Sequence, residues 1–169
     1  MNIIRISQDL CDPEGRVILE DLVIADVRTG RRNRSIYIDR ETSIRRCVIL
    51  SRDHHGILVE GLDLEDSYIL FWNQNGGPPI ITANTDLRIH NSLIVGQGQL
   101  SADRELPNLS DDVTTSIAAS RSTFVGLRSA FSIGVPTEMT LEDNIFAKEV
   151  LLHFYPDPRD FDEARNRLK

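Results

Sequence analysis

Cysteine is scarce in this chain, and several other features that mark particular classes of protein are missing as well. The 169 residues include two cysteines, Cys11 and Cys47, which are too few for a disulfide framework and lack the spacing of a metal site. No apolar run approaches the roughly 20 residues of a membrane-spanning helix. The N-terminal segment also lacks the apolar stretch of a signal peptide. We therefore expect a cytoplasmic protein without a metal or another cofactor.

Positive charge is in deficit, with 19 lysines and arginines against 26 aspartates and glutamates and a net charge of −7. A protein that holds phosphates regardless of base sequence needs a basic surface, so a nucleic-acid partner is not expected. Attraction to an anionic membrane surface is not expected for the same reason. The 40% hydrophobic and 27% charged residues are typical of an ordinary folded domain.

One apolar pattern recurs six times along the chain, and it alternates as a strand does. Each copy has the form apolar–x–apolar–x–x–small–x–apolar, and short strands are predicted ahead of most copies, as at Ile57–Val59. Self-similarity at 20 to 30 residues predicts a solenoid whose units stack on one another. The copies are Val17–Ala25, Thr42–Leu50, Leu62–Leu70, Leu87–Val95, Ile117–Val125 and Met139–Ala147.

Aligning the copies produces two apolar columns and one column of mostly small residues, all predicted to face inward. The apolar columns are Leu19/Ile44/Leu64/Ile89/Ala119/Leu141 and Ile24/Ile49/Ile69/Ile94/Phe124/Phe146. The small column is Leu22/Cys47/Ser67/Ser92/Ser122/Asn144. This cadence resembles the right-handed parallel β-helices of the pectin-lyase-like superfamily, which place an inward polar ladder at this position. The resemblance implies an all-β, right-handed parallel β-helix, here of about six rungs and roughly 29 Å long.

The repeats and their flanks predict one domain over residues 1–169. Residues 1–16 are expected to cap the N-terminal end, 17–154 to form the rungs, and 155–169 to form a C-terminal tail. The tail is predicted to contain a short cap helix, because Asp160 and Glu163 resemble an N-cap and its reciprocal partner. A long loop is predicted over Gly96–Ser116, and loops of this length are usually functional or disordered.

Outward-facing charged residues on the first strand of each copy form a candidate catalytic site. Enzymes of the superfamily that the chain resembles carry acidic and basic catalytic groups on such a face. Asp63 and Glu65 should lie about 6.8 Å apart along their strand, near the spacing of an inverting glycosidase pair. The alternative is a structural ladder of alternating charge, Glu20–Arg45–Glu65–His90, that stabilises strand pairing. The candidate catalytic residues are Asp63, Glu65, Arg88 and His90.

The single tryptophan begins a polar loop that is a candidate sugar-binding site. An indole ring can stack on a sugar, and neighbouring amide groups can hydrogen bond to it. The alternative is that Trp72 packs beneath its own loop. The candidate sugar-binding residues are Trp72, Asn73, Gln74 and Asn75.

The residue after each small position should face outward, yet five of these six residues are apolar or aromatic. An apolar strip of this kind needs a cover. The cover is the 96–116 loop or the tail, a second copy or another protein, or a ligand in a groove. We expect an interface formed by Val23, Val48, Tyr68, Leu93 and Ile145, with Thr123 completing the column.

Two functions of different class follow from these residues. The first is a non-catalytic scaffold or protein-interaction module that forms homo-oligomers through the apolar strip, with itself or another protein as partner. The second is a carbohydrate-active protein that uses the charged outer face: a polysaccharide lyase, hydrolase, epimerase or binding module. Whether the protein is an enzyme therefore stays open at this level.

Overall fold

The computed structural model describes residues 4–6, 15–26, 34–51, 55–71, 81–98, 100–102, 115–127, 130–133, 137–147 and 152–154. These residues form an all-β parallel solenoid that contains no helix. The cap helix predicted within 155–169 lies outside the described residues and has no support in the structure. Among the residues described there is also no helix long and apolar enough to cross a membrane.

The described residues form seventeen strands, and successive side chains along a strand point alternately inward and outward. The strands are β1 (Ile4–Ile6), β2 (Val17–Glu20), β3 (Val23–Asp26), β4 (Arg34–Arg45), β5 (Val48–Ser51), β6 (His55–Glu65), β7 (Tyr68–Phe71), β8 (Ile81–Ala83), β9 (Asp86–His90), β10 (Leu93–Val95), β11 (Leu100–Ala102), β12 (Thr115–Ser120), β13 (Thr123–Val125), β14 (Phe131–Ile133), β15 (Thr137–Glu142), β16 (Ile145–Ala147) and β17 (Leu152–Phe154).

All described pairings are parallel, and they divide the solenoid into three faces. One face is the six-stranded sheet β3-β5-β7-β10-β13-β16. The long strands β4 and β6 each take part in both other faces. Their C-terminal halves pair with β2 and β9, and the ladder continues through β12 and β15. Their N-terminal halves pair with β1 and β8, and that ladder continues through β11, β14 and β17.

Strand register confirms the alignment of the six sequence copies. In each ladder the residue of one copy pairs with the equivalent residue of the next, as in Leu64 with Ile89 and Ile69 with Ile94. Equivalent residues are therefore neighbours in space along both apolar columns. The predicted loop 96–116 needs a correction, because it contains strand β11, which pairs with β8 and β14.

The solenoid has about four turns, so the prediction of about six rungs was too high. All six copies form strands, but only the inner four bury both of their inward apolar residues fully. In the outer copies Leu19, Leu141 and Phe146 are only partly buried. In the described structure each end copy has a paired neighbour on one side only, so its inward side chains are covered less than those of the inner copies.

A polar ladder runs through the small column, as the sequence predicted. The oxygen of each side chain accepts a hydrogen bond from the backbone N–H of the small residue in the preceding copy, and each serine hydroxyl donates to the carbonyl two residues earlier. The N–H bonds are Cys47 to Ser67 (3.1 Å), Ser67 to Ser92 (3.1 Å), Ser92 to Ser122 (3.1 Å) and Ser122 to Asn144 (2.9 Å). Leu22, the first member, is exposed instead of inward.

A column of strained residues precedes the small column and turns the chain into the six-stranded sheet. We call these six the corner column: Asp21 (φ 56°), Arg46 (50°), Asp66 (50°), Asn91 (43°), Arg121 (50°) and Asp143 (53°). Residues other than glycine rarely adopt this left-handed backbone conformation. Backbone bonds between copies compensate, as where Arg46 N–H donates to Glu65 O at 3.1 Å. All six side chains are exposed, so the corner column projects into solvent.

Candidate functional site

The four candidate catalytic residues lie together on the outer face of strands β6 and β9. Register places Asp63 beside Arg88 and Glu65 beside His90. Because residues two apart on a strand share a face, all four side chains project outward. The sequence therefore located this charged cluster correctly in space, although its catalytic role stays a prediction.

Each of the four side chains contacts a residue outside the set. Asp63 Oδ2 pairs with Arg16 Nη2 at 2.9 Å, and Glu65 Oε2 lies 3.5 Å from Arg45 Nε. Arg88 and His90 have partners on the same face, Asp86 at 2.7 Å and Ser120 at 2.9 Å respectively. The contacts of Glu65, Arg88 and His90 run between neighbouring strands or along one strand, which is the arrangement of a structural ladder. Arg16, just before β2, reaches Asp63 over the intervening strand β4.

The ladder predicted from the sequence is present only in part. Glu65 contacts Arg45 as predicted, whereas Glu20 contacts Arg46, at 2.8 Å, and not Arg45. His90 contacts Ser120 through its Nδ1. Neighbouring-strand register alone could not decide which of two adjacent arginines Glu20 would contact.

A second acidic cluster, which the sequence did not indicate, lies at an irregularity in β4. The pairing of β4 with β6 slips between Ile38 and Glu41, and bulges of this kind redirect side chains. Burial raises the pKa of Glu60, and the nearby Glu41 and Asp39 raise it further against the opposing effect of Arg40. Within the described residues no group of three or more histidine, cysteine or acidic side chains is arranged to hold a metal ion.

The candidate sugar-binding residues cannot be placed. Trp72, Asn73, Gln74 and Asn75 lie outside the described residues. The central part of the predicted loop, 103–114, and the tail, 155–169, lie outside them too. These predictions stay as the sequence states them.

The predicted apolar strip forms a continuous outward column on the six-stranded sheet. Val23 is 74% exposed, Leu93 38% and Ile145 63%, while the intervening members are half-buried. Register joins each member to the next, as in Tyr68 with Leu93. Three large apolar side chains of one column are therefore open to water in the described structure.

A second outward column, which the sequence reasoning missed, lies two residues further along the same strands. Its members are half-buried or exposed. Period-two alternation could have identified it, because each member ends a copy of the repeat. We call the two columns together the apolar face, and eleven of its twelve residues are apolar or aromatic. The second column is Ala25, Leu50, Leu70, Val95, Val125 and Ala147.

The corner column borders the apolar face with charges of both signs. Arg46 donates to both carboxylate oxygens of Asp21, at 2.7 and 2.8 Å. The hydrogen bond from Arg46 lowers the pKa of Asp21, and the bonds to Asp21 and Glu20 raise the pKa of Arg46. These first two members are therefore neutralised within the chain.

Among the described residues, no opposite charge is bound to the other charged members of the corner column. Asp66 accepts a hydrogen bond of 2.6 Å from the neutral Asn91 side chain. Along the described stretches of chain, neither Asp66, Arg121 nor Asp143 takes part in an ion pair. Half of the corner column can therefore bind an outside partner without first breaking an internal ion pair.

An open groove of about 450 Å³ connects the corner column to the apolar face. Tyr68 and Leu93 contribute its apolar surface, and Asp66, Asn91 and Arg121 its polar edge. An apolar centre beside a polar rim is the usual anatomy of a protein–protein interface. Aromatic and arginine side chains are also frequent among the residues that dominate binding energy.

The chain matches no model of a known protein family, no curated protein and no solved structure. We therefore infer its function from the arrangement of its own residues.

Proposed function

We propose that this protein is a non-catalytic β-solenoid scaffold that associates with a second copy of itself through the apolar face. The observation that carries the proposal is the exposure of this face, with Val23, Leu93 and Ile145 open to solvent on six adjacent strands. Apolar surface is stabilised by about 25 cal/mol for each Å² that is removed from water. Covering the face is therefore favourable for any partner that fits it.

A second copy suits the edge of the face. Asp66 and Arg121 carry opposite charges, and they stand one sequence repeat before and one sequence repeat after Asn91 in the corner column. A second copy brings both charges again, so each can meet its complement without a foreign partner. Self-association is therefore supported by charge as well as by burial.

The size of the face sets the expected strength. Six strands about 4.8 Å apart make it roughly 29 Å long, and two columns with their side chains make it about 14 Å wide. Two subunits would bury at most about 800 Å² from such faces, below the roughly 1,200 Å² of standard stable interfaces. We therefore expect a reversible dimer with a dissociation constant in the micromolar range.

Substitution of Leu93 by lysine tests the proposal. Leu93→Lys places a charge in the middle of the apolar face, where pairing would bury it, so the dimer should dissociate. The measurement is molar mass by size exclusion with light scattering across protein concentration, with circular dichroism to confirm the β-fold. Ile18→Lys is the matched control, because Ile18 is also apolar and 58% exposed but lies on β2 outside the apolar face. A folded Leu93→Lys variant with the mass of the wild-type dimer would refute the proposal.

A carbohydrate-active protein is the second candidate, favoured by the gathering of Asp63, Glu65, Arg88 and His90 on one face. Its substrate would be a polysaccharide, with Trp72 and its amide neighbours as the sugar platform. Glu65→Gln should then abolish turnover or binding in a polysaccharide screen while leaving the melting temperature unchanged. A lower melting temperature without any active substrate would instead support the contact of Glu65 with Arg45 as structural.

We also propose a handedness, a superfamily and a cellular location for this protein. The inward serine ladder supports the resemblance to right-handed helices of the pectin-lyase-like superfamily, and right-handed crossovers are the rule for parallel strands. A cytoplasmic location is compatible with the buried, unpaired thiol of Cys47. Handedness, superfamily and location are proposed on these grounds.

A further inference from the structure

We propose that two copies pair face to face with antiparallel solenoid axes, so that Asp66 of each copy meets Arg121 of the partner subunit. The twofold axis would pass beside Asn91 and Leu93. This inference rests on the proposed self-association through the apolar face and adds its orientation and register. Free charges, alternative registers and side-chain size each support it.

Charge order along the corner column supports the position of the axis. From first to sixth copy the signs are negative, positive, negative, neutral, positive and negative. The neutral residue is Asn91, and the unpaired Asp66 and Arg121 lie at equal distances on its two sides. A twofold axis through Asn91 therefore exchanges Asp66 with Arg121 and joins them in two symmetric pairs.

Geometry decides the direction of the axis. Sheets that stack face to face lie about 10 Å apart, a gap that an arginine and an aspartate can bridge together. A twofold axis across the solenoid keeps both corner columns on the same edge of the interface. An axis along the solenoid would place them on opposite edges, where Asp66 and Arg121 would stay unpaired. The antiparallel arrangement is therefore the one that uses the free charges.

Other antiparallel registers bring like charges together. Moving the axis between Asp66 and Asn91 sets Arg46 against Arg121 and Asp21 against Asp143. Moving the axis to Asp66 places the Asp66 carboxylate of one subunit against Asp66 of the partner subunit. Among registers in which at least five of the six strands overlap, the axis through Asn91 alone avoids a like-charge pair. Like-charge juxtaposition at an interface suppresses wrong pairings.

Side-chain size agrees with this register. Tyr68, the largest side chain of the first column, would face Thr123 of the partner subunit, the smallest. Leu93 would face Leu93 of the partner subunit, which explains why a lysine there should be so damaging. Val23, in the first sequence repeat, would lie outside the region where the two subunits overlap. Large residues against small ones let two sheet faces interdigitate.

Charge reversal and its rescue test the pairing. Asp66→Arg and Arg121→Asp should each raise the dimer dissociation constant about tenfold, because each creates two like-charge contacts per dimer. The double variant should return it to near the wild-type value, the signature of a direct contact. The corner accepts both residue types, since arginine and aspartate already occupy it at similar φ. Glu138→Arg is the matched control, an exposed acidic residue on β15, away from the apolar face.

Crosslinking provides an independent readout. In a background with Cys11→Ser and Cys47→Ser, Asn91→Cys should crosslink efficiently with a short bismaleimide, because the two copies of residue 91 meet at the axis. Asp143→Cys should crosslink poorly, because its two copies would lie about 19 Å apart along the interface. The serine at position 47 repeats the residue type found in the next three copies.

The outcomes separate the two proposals. A wild-type protein that is monomeric at every concentration overturns both. A dimer that Leu93→Lys dissociates, but whose dissociation constant does not respond to Asp66→Arg, keeps the self-association and overturns the register. Equal crosslinking at residues 91 and 143 also overturns the register. Rescue by the double variant together with selective crosslinking at residue 91 supports it.

Discussion

At the scale of single residues, two opposite uses of charge appear on the same molecule. Asp21 and Arg46 satisfy each other in solvent, where such a pair contributes little to stability. Glu60 is different, because it is partly buried beside Glu41 and Asp39. The Asp21–Arg46 pair presents no net charge to a binding partner, whereas the environment of Glu60 makes the stability of the fold depend on pH.

Glu60→Gln should stabilise the protein at neutral pH. The pKa of Glu60 is raised in the folded state, so the folded state holds its proton more tightly than the unfolded chain does. The stability that this provides is full below the ordinary glutamate pKa of about 4.3 and is lost as pH rises through the higher folded value. The melting temperature of Glu60→Gln should therefore exceed that of the wild type at pH 7.

The same comparison has an internal control. At a pH below about 4 the wild-type carboxyl is protonated in both states, so the two melting temperatures should converge. Glu138→Gln, at an exposed position of β15, should behave as the wild type at both pH values. A gap between Glu60→Gln and the wild type that is the same at low and neutral pH would contradict the assignment.

At the scale of elements, the polar ladder joins each pair of strands to the next. Each ladder serine accepts a hydrogen bond from a buried N–H of the preceding sequence repeat and donates one to a carbonyl of its own repeat. One small side chain therefore links two successive repeats. Alternating apolar columns specify which residues lie inside. The ladder specifies where the chain turns from one sheet into the other.

Ser92→Ala should destabilise the fold by about 2 kcal/mol, because the buried N–H of Ser67 and the carbonyl of His90 would both lose a partner. The measurement is the free energy of unfolding in urea. Thr140→Ala is the control, since Thr140 is exposed on the neighbouring face. An unchanged unfolding free energy for Ser92→Ala would show that the ladder follows the fold without stabilising it.

At the scale of the whole molecule, the residues that stabilise the fold and the face proposed for association are different. The fully buried core is shared by the inner copies and by the strand segments between copies, which contribute residues such as Ile36 and Phe131. Near the C-terminal end Phe124 stacks on Phe146 with ring centroids 4.9 Å apart. The charged face is occupied by contacts within the chain, such as Asp63 with Arg16. Within the described part of the chain, the apolar face combines exposed large side chains with charges at its edge that form no ion pair. This division supports the proposal of a scaffold.

The sequence by itself determined the parallel solenoid, the alignment of its copies, the inward ladder and the outward strip. All of these depend on strand alternation and on a repeat length, which are local properties that stacking preserves. The second column of the apolar face was equally readable, since Leu70 or Val95 simply follows the alternation.

Only the tertiary structure decided the number of closed turns and the partner of each charged side chain. Among the described strands, each end copy pairs with one neighbouring copy and each inner copy with two, while the repeat pattern is the same in both. Arg16 reaches Asp63 across one intervening strand, β4, and Arg46 rather than Arg45 binds Glu20. Such choices depend on side-chain reach and on the left-handed corner backbone, which places Arg46 in the corner column beside Asp21. The contacts of long flexible side chains depend on which groups lie within reach in three dimensions, and the repeat pattern does not specify this.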